Sequence, residues 1–439
     1  MVDLKILYTG ERPANNRSQK TICLFLFAIS SFIFIGCAGA RLKDARRAFH
    51  NGDAPQAVTI LSDVDDSGLS RLEYLMEKGL LLHQAGRYEE SVRELRKASD
   101  LIREQDIVSV GQQAGSLVAN EWVTEYKGEY CERLWVHTYL MMNYLLLGQY
   151  EAALVEAKQA EKVYDQFPEA LSEEYFTRAL IALCYENLNE YNDAYIAYKK
   201  LAETMKNSAI VRPDIDRLAG MLGFDDEISN TPQTVYPAAG SAELVLFVSL
   251  GNGPVKIPGN IILPPGIRFS FPRYEKQDKR VGSAEVFDSG SRKQSISVET
   301  DVVGVAKKSL DERATEIYVK EAARLAAKEV IMRQIGKDQD NIVKILLRIA
   351  FMIMEEPDTR SWQTLPAKLS LIKLPLKPGT HKIRVQIRGG GSMKDIDLPE
   401  IEFSQGQRVF YSVRASSGSV SAQGRKEPEM DSESSELPD

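Results

Sequence analysis

The stretch from Glu132 to Ala160 constrains the fold most, because its apolar residues follow a helical period on both sides of a glycine. Met142 and Leu146 belong to the first apolar face, Gly148 interrupts it, and the same period resumes beyond the glycine. Apolar residues three or four apart indicate a helix, and a glycine between two such runs indicates a sharp turn. The stretch therefore predicts a helical hairpin.

The same pattern recurs along the first half of the chain. Gly86, Gly148 and Asn189 occupy equivalent turn positions, and Gly52 marks a weaker copy upstream. Gly52 and Gly86 lie 34 residues apart, and small residues flank each turn at matching positions. This arrangement resembles the tetratricopeptide repeat, which has that period. The later spacings of 62 and 41 residues predict extra segments within the array. An unrelated helical bundle is the alternative.

The chain has 439 residues, too many for one ordinary core, which predicts two domains with extensions. Residues 37–230 are predicted to form the repeat array, and the Pro- and Gly-rich residues 231–240 a linker. Residues 241–414 combine strands with helices and predict an α+β domain. Residues 415–439 have no apolar period and are expected to be disordered. The predicted fold class is multidomain, α followed by α+β.

The second domain is predicted to be a mixed sheet interrupted by two helices. Its candidate strands are residues 243–250, 267–271, 283–287, 295–302, 368–374, 381–387 and 409–413. Residues 310–335 predict an amphipathic helix. Residues 341–354 are apolar on almost every side, which indicates a helix buried against the sheet or dipping into a membrane.

The N-terminus resembles an export signal. Arg12, Arg17 and Lys20 precede an apolar run of 15 residues, 21–35, which is short for a membrane-spanning helix. The run ends at Gly36-Cys37, and residues 34–37 resemble the lipobox of bacterial lipoproteins. That resemblance implies cleavage before Cys37 and lipidation of its thiol, and Ala38 implies sorting to the outer membrane. An uncleaved anchor is the alternative.

The two remaining cysteines and the net charge limit which functions the sequence predicts. Cys131 and Cys184 fall in predicted repeat helices, where buried thiols are favoured over a disulfide bridge. The formal net charge is −7. The first 36 residues contain four basic and two acidic residues, so the remainder has a charge of −9. An acidic chain without a long basic run is poorly suited to bind nucleic acid.

Three short segments resemble an uncharacterised family of bacterial repeat-containing lipoproteins. They are Tyr126-x-Gly128-Glu129 with Glu132, residues 251–256 (GNGPVK), and residues 360–366 (RSWQTLP). The resemblance extends over most of the mature chain but implies no activity. The insertion at 104–127, between the second and third units, is functional or packs on a neighbouring segment.

The sequence contains no recognisable catalytic or metal-binding pattern. Its four histidines are isolated, and neither a nucleophile elbow nor a phosphate loop is present. Residues 251–253 lack the third glycine and the helix of a dinucleotide loop. The segment from Asp63 begins like a calcium loop, but Tyr74 stands where a carboxylate is required. We therefore predict no enzyme, cofactor or metal.

The repeat pattern instead predicts a binding surface. In tetratricopeptide proteins the first helix of each unit lines a concave groove through four positions. The equivalent positions here are Glu73, Met76, Leu80 and His83; Trp135, Thr138, Met142 and Leu145; and Phe176, Ala179, Leu183 and Glu186. This mainly apolar surface suits a hydrophobic peptide or a partner helix. It is equally consistent with internal packing against the second domain or the insertion.

The sequence thus indicates an exported, lipid-anchored scaffold that binds another cell-envelope protein through this groove. Cell-wall synthesis, outer-membrane assembly and secretion are the candidate pathways. The alternatives are a cryptic hydrolase of glycan or peptide in the second domain, and a carrier of an apolar ligand.

Overall fold

The computed structural model describes residues 39–62, 70–109, 125–224, 228, 240–263, 267–275, 282–335, 356–389, 392–416 and 420–424. The predicted signal and Cys37, nearly all of the linker at 231–240 and the apolar stretch at 341–354 lie outside these residues. Most of the insertion, residues 110–124, also lies outside them.

The N-terminal half consists of helices paired by short turns. They are α1 (39–50), α2 (Ala54–Ser62), α3 (Arg71–Gln84), α4 (Tyr88–Ser109), α5 (Tyr130–Leu146), α6 (Tyr150–Gln166), α7 (Tyr175–Asn187), α8 (Tyr191–Thr204) and α9 (Arg212–Leu222), with a 3-10 turn at Ser208–Ile210. Helices α3 to α8 form three successive hairpins, and α1 and α2 form a fourth. This is a tetratricopeptide-like array, and the predicted repeats are confirmed.

The three later turns share one backbone geometry. The residue at the turn has a positive φ in every hairpin: 72° at Gly86, 71° at Gly148 and 59° at Asn189. In each turn the next amide donates to a carbonyl five residues earlier: Arg87 to Leu82 at 2.9 Å, Gln149 to Tyr144 at 2.8 Å, and Glu190 to Tyr185 at 3.0 Å. This pattern satisfies the last carbonyls of a helix and needs a left-handed residue. It explains why glycine or asparagine marks each turn.

The C-terminal half contains two larger sheets. Its strands are β1 (Ala242–Leu250), β2 (Lys256–Leu263), β3 (Ile267–Tyr274), β4 (Ser283–Asp288), β5 (Ser291–Arg292), β6 (Ile296–Asp301), β7 (Lys368–Leu376), β8 (Gly379–His381), β9 (Ile383–Gly389), β10 (Ser392–Asp397), β11 (Ile401–Phe403), β12 (Arg408–Ala415) and β13 (Val420–Gly424). Sheet A has the order β13-β12-β1-β7-β6, and sheet B has the order β10-β9-β4-β5. Strands β1 and β12 run parallel, and the other pairs are antiparallel. Strands β2 and β3 form a separate ribbon, as do β8 and β11.

Sheet A is covered on both faces. Along β1, Leu244, Leu246 and Val248 belong to a core shared with sheet B. The alternate residues Val245 and Phe247 belong to a core shared with the array. Successive side chains of a strand point to opposite faces, so β1 has to be apolar at both periods. The order of layers is therefore array, sheet A, sheet B.

The structure contains the seven predicted strands. It differs from the prediction at the start of one helix, in the tail and in having additional strands. Helix α10 (Val302–Ile335) begins before the predicted residue 310, because Asp301 accepts a hydrogen bond from the amide of Gly304 at 3.1 Å and caps the helix directly after β6. The predicted disordered tail is wrong for Ala415 and for residues 420–424. Ala415 ends β12, and β13 adds to its edge with Ala415 opposite Val420. Strands β2, β5, β8, β10 and β11 were also not predicted.

Candidate functional site

The twelve predicted groove positions are all buried. None of them is more than 5% exposed, including Met142, Trp135 and Phe176 at 0%. The predicted open groove is therefore corrected: in this structure the surface is the interface between the array and sheet A. These residues instead pack inside the protein, which is the alternative that the sequence left open.

Aromatic side chains of sheet A fill the concave face of the array. The ring of Phe247 lies 6.4 Å from that of Phe176, edge to face, and stacks at 5.9 Å on Phe410. Phe410 in turn lies 6.3 Å from Tyr150. An apolar stripe of this size is unfavourable in water, and a sheet on the same chain can cover it without the entropic cost of association.

A second segment of the chain also enters the array. We call residues 356–367 the strap; it connects to β7 and carries the buried Trp362, whose ring lies 5.6 Å from that of Tyr139. Within the strap, Leu365 packs so closely on Gly253 that a Cβ at the glycine would lie 2.4 Å from the Leu365 carbonyl oxygen. This contact explains the glycine in the GNGP segment.

Carboxylates of the array bind the main chain of the strap. The amide of Trp362 donates to Glu132 at 2.8 Å, and that of Gln363 donates to Glu77 at 2.8 Å. The guanidinium of Arg46 on α1 donates to the Ser361 carbonyl at 3.0 Å and pairs with Glu77 at 2.6 Å. Recognition of backbone groups with one buried aromatic side chain is how grooves bind extended peptides. Here the bound segment belongs to the same chain.

The three segments that carried the family resemblance meet at this point. Glu129 pairs with Lys256 and, at 2.7 Å, with Arg313 of α10. Tyr126 donates its phenol proton to Glu132, which accepts the Trp362 amide. We call Tyr126, Glu129, Glu132, Lys256 and Trp362 the motif cluster. It joins the array, the sheet and the strap.

The motif cluster holds one carboxylate ionised and disfavours ionisation of another. Burial opposes the charge of Glu129, but Lys256 and Arg313 outweigh it and lower its pKa to about 2. The pKa of Glu132 is raised by burial, although Lys256 opposes the shift. Glu129 therefore serves as the counterion of Lys256, and Glu132 serves mainly as a hydrogen-bond acceptor.

A second charged cluster lies at the other end of the concave face. Glu186 pairs with Arg217 at 2.8 Å and with Arg408 of β12 at 3.0 Å, and these cations lower its pKa although burial opposes ionisation. Lys373 of β7 pairs with Asp214 at 2.5 Å. Glu186 and Asp214 of the array thus each pair with a cation of sheet A. Lys373 interrupts the apolar inward face of β7, and Arg408 lies at the inward period of β12. Charged residues at this period could have identified the interface.

His83 bridges the array and the sheet at the centre of the face. Its Nδ1 lies 2.6 Å from Asn143 Oδ1, and its Nε2 lies 3.0 Å from Ser412 Oγ. The order hydroxyl, imidazole and amide matches a nucleophile with its base and orienting group. His83 is only 1% exposed and Ser412 6% exposed, so a substrate carbonyl does not reach the hydroxyl. Burial also lowers the pKa of His83 to about 4.

Within the described residues, no group of three or more histidine, cysteine or acidic side chains is arranged to hold a metal ion. In the same part of the chain, no helix combines the length and apolarity needed to cross a bilayer. Cys131 and Cys184 are free, buried thiols, and burial raises the pKa of each. The interpretation of these cysteines as buried thiols is confirmed.

Neither a protein-family model nor a curated protein matches the sequence. Solved structures of repeat proteins match 42–43% of the chain. MamA from Desulfovibrio magneticus RS-1 is 14% identical over 85% of its own length, with a TM-score of 0.30. A kinesin light chain with TPR-like repeats from Podosopora anserina is 16% identical over 88%, with a TM-score of 0.31. RapI in its apo form is 13% identical over 49%, with a TM-score of 0.32.

Proposed function

We propose that this chain is an exported, lipid-anchored and non-enzymatic scaffold of the bacterial cell envelope, and that its protein partner binds outside the concave face. The tetratricopeptide-like array supports the scaffold, and the occupation of its concave face by sheet A and the strap supports a partner surface elsewhere. The partner surface of the scaffold is then an outer surface of the array or of the C-terminal half.

Charge explains why a partner would not displace the sheet. Separation of the layers would break the buried pairs of Glu129 with Lys256, Lys373 with Asp214 and Arg408 with Glu186. A peptide that buried the carboxylates of the array without supplying cations would leave each of them uncompensated, at a cost of about 3–5 kcal/mol. A competing peptide would have to reproduce these charges as well as the aromatic contacts. Binding to an outer surface requires neither.

Lipid anchoring is proposed from the Gly36-Cys37 junction, and outer-membrane sorting from Ala38. Growth with radiolabelled palmitate should label the native chain and the Cys131→Ala control, but not Cys37→Ala. Equal labelling of Cys37→Ala would refute the anchor. Membrane fractionation of the labelled protein then tests its place in the outer membrane.

Exposed apolar side chains on different layers provide positions for a partner search. Val155 on α6 is 56% exposed, Ile262 on β2 72% and Val319 on α10 64%. A photo-crosslinking amino acid at each position, irradiated in intact cells, should give a recurrent envelope protein at one position and not at the others. Its identity would separate cell-wall synthesis from outer-membrane assembly and secretion. The absence of a recurrent adduct at all three positions would contradict the proposed scaffold function.

A further inference from the structure

One buried cation between the array and the sheet lacks a counterion. Two other buried cations at this interface, Lys256 and Lys373, pair with Glu129 and Asp214, and two partly buried ones, Arg46 and Arg408, pair with Glu73 and Glu186. Arg414 of β12 is 5% exposed and forms no ion pair with any carboxylate of the described residues. It is therefore an exception in an interface that otherwise balances its charges.

The surroundings of Arg414 leave part of its guanidinium unused. The group stacks on the ring of Phe49 at 4.5 Å, and Nη2 makes a long hydrogen bond of 3.4 Å to the Gly251 carbonyl. Nη1 is buried and has no hydrogen-bond partner in the described part of the chain. A buried charge without a partner is costly, so this donor requires a negative group.

Three further side chains around Arg414 have buried polar atoms: Ser249, Tyr139 and His50. The hydroxyls of Ser249 and Tyr139 interact with each other, and His50 interacts with Asn252. None of these three groups supplies a negative charge to Arg414. Ser249 lies directly opposite Arg414 in the pairing of β1 with β12, so both side chains point to the array. The charge of Arg414 acts on Tyr139 and on His50. All three groups can donate a hydrogen bond.

The ionisation of these groups fits the same picture. Burial lowers the pKa of Arg414 to about 10, opposed only by Tyr139. Burial and then the charge of Arg414 lower the pKa of His50, so its ring is neutral near pH 7. Burial raises the pKa of Tyr139 to about 12, so its phenol keeps its proton. The cluster therefore carries one positive charge, on Arg414, beside neutral groups that can donate hydrogen bonds.

We propose that Arg414, Ser249 and Tyr139, with His50 beside them, form a buried binding site for one small monovalent anion. A single negative charge would balance the guanidinium, and its lone pairs would accept from Nη1 of Arg414 and from a neighbouring hydroxyl. A halide and the carboxylate of a small organic acid share this chemistry. Because the site lies between layers, the anion enters as the array closes on the sheet and stabilises that contact.

Thermal unfolding of the full-length chain tests the site through linkage. The melting temperature is measured in sodium chloride or sodium formate from about 1 to about 300 mM, at constant ionic strength made up with a bulky sulfonate. It should rise by several degrees as the small anion replaces the sulfonate. The salt that raises the melting temperature more shows whether the bound anion is a halide or a carboxylate. No difference between the small anions and the sulfonate would overturn the proposal.

Arg414→Met and Arg408→Met form a matched pair of variants. Both remove a buried cation from the same face of β12, but Arg408 has carboxylate partners. Arg414→Met should lose the dependence on the small anion, whereas Arg408→Met should melt at a lower temperature and keep it. An unchanged dependence in Arg414→Met would refute the site.

Ser249→Ala keeps the net charge and tests the site if Arg414→Met fails to fold. It should need several-fold more anion for the same rise in melting temperature. An unchanged midpoint would equally refute the proposal. So would a crystal grown in the more effective anion, with bromide in place of chloride where that is the halide, that has no anion beside Nη1 of Arg414.

Discussion

At the scale of single residues, the interface is held by charges that are paired across layers. Glu129 is the clearest case, since it is 2% exposed and accepts from both Lys256 and Arg313. Its role is structural, because each partner comes from a different segment of the C-terminal half. The same residues that carry the family resemblance thus set how the two halves dock.

Glu129→Gln is expected to destabilise the chain by about 3–5 kcal/mol near pH 7, because it leaves Lys256 buried without a counterion. Denaturant unfolding measures the change. Glu316→Gln is the matched control: Glu316 pairs with Lys320 on the exposed side of α10, and its loss should cost less than about 0.5 kcal/mol. Equal effects of the two substitutions would contradict the role of Glu129.

The pH dependence of this difference has a definite sign. The folded-state pKa of Glu129 is about 2, below its usual value of 4.5, so its contribution to stability is complete above about pH 5. It is lost as the pH falls through the folded pKa. The stability gap between the native chain and Glu129→Gln should therefore narrow steadily from pH 5 towards pH 2. A gap that widens on acidification would contradict this assignment.

Gly79 of α3, which packs against α4, supplies a third prediction at this scale. A Cβ at Gly79 would lie 2.5 Å from Cδ2 of the buried Leu95, so Gly79→Ala should cost about 1–3 kcal/mol. At Gly220 of α9 the nearest atom lies at 3.7 Å, and Gly220→Ala should stabilise the chain by about 0.5–1 kcal/mol. Melting temperatures that move in the same direction would contradict the packing argument.

At the scale of elements, the edge of sheet A caps a helix of the array. The hydroxyl of Thr300 on β6 accepts hydrogen bonds from the amides of Tyr175 at 2.9 Å and Phe176 at 2.8 Å. These amides begin α7 and have no partner within the helix. One hydroxyl thus aligns the third hairpin with the sheet.

Thr300→Val keeps the volume of the side chain and removes this cap. It should destabilise the chain by about 1–2 kcal/mol, and Thr300→Ser should restore most of the loss. Hydrogen exchange should show faster exchange at the first turn of α7 in Thr300→Val only. Equal exchange in the two variants would indicate that the hydroxyl does not cap the helix.

The elements also show how far a single sequence predicts this molecule. The hairpins were predictable because each turn requires a left-handed residue, and β1 because both of its faces are apolar. Strand β13 was not, since its Ser, Ala and Gln residues have no apolar period and it forms by pairing with β12. The buried pairs were not predictable either, because Glu129 and Lys256 lie far apart along the chain.

The groove positions illustrate the difference between a pattern and its use. All of these positions on α3, α5 and α7 are buried, but so are nearly all other residues of the three helices, so burial alone does not identify the inward positions. The spacing contained no information about what covers them, because an apolar stripe has the same sequence whether a partner or the same chain binds it. Only the three-dimensional arrangement distinguishes the two.

At the scale of the whole molecule, the array and sheet A form a single core. Val245 and Phe247 of β1 belong to the same hydrophobic cluster as Met142 and Trp135 of the array. The concave face is thus part of the folded core, and a partner of the proposed scaffold would use another surface. The central claim is that this arrangement persists in the cell.

A diazirine analogue of methionine at position 142, irradiated in intact cells, tests that claim most directly. The analogue is close to methionine in size, so it should fit the buried position without disturbing the core. We predict adducts only within the chain, on residues of sheet A, the strap or the facing helices. A recurrent adduct with another envelope protein would mean that the concave face opens to a partner, and would contradict the account.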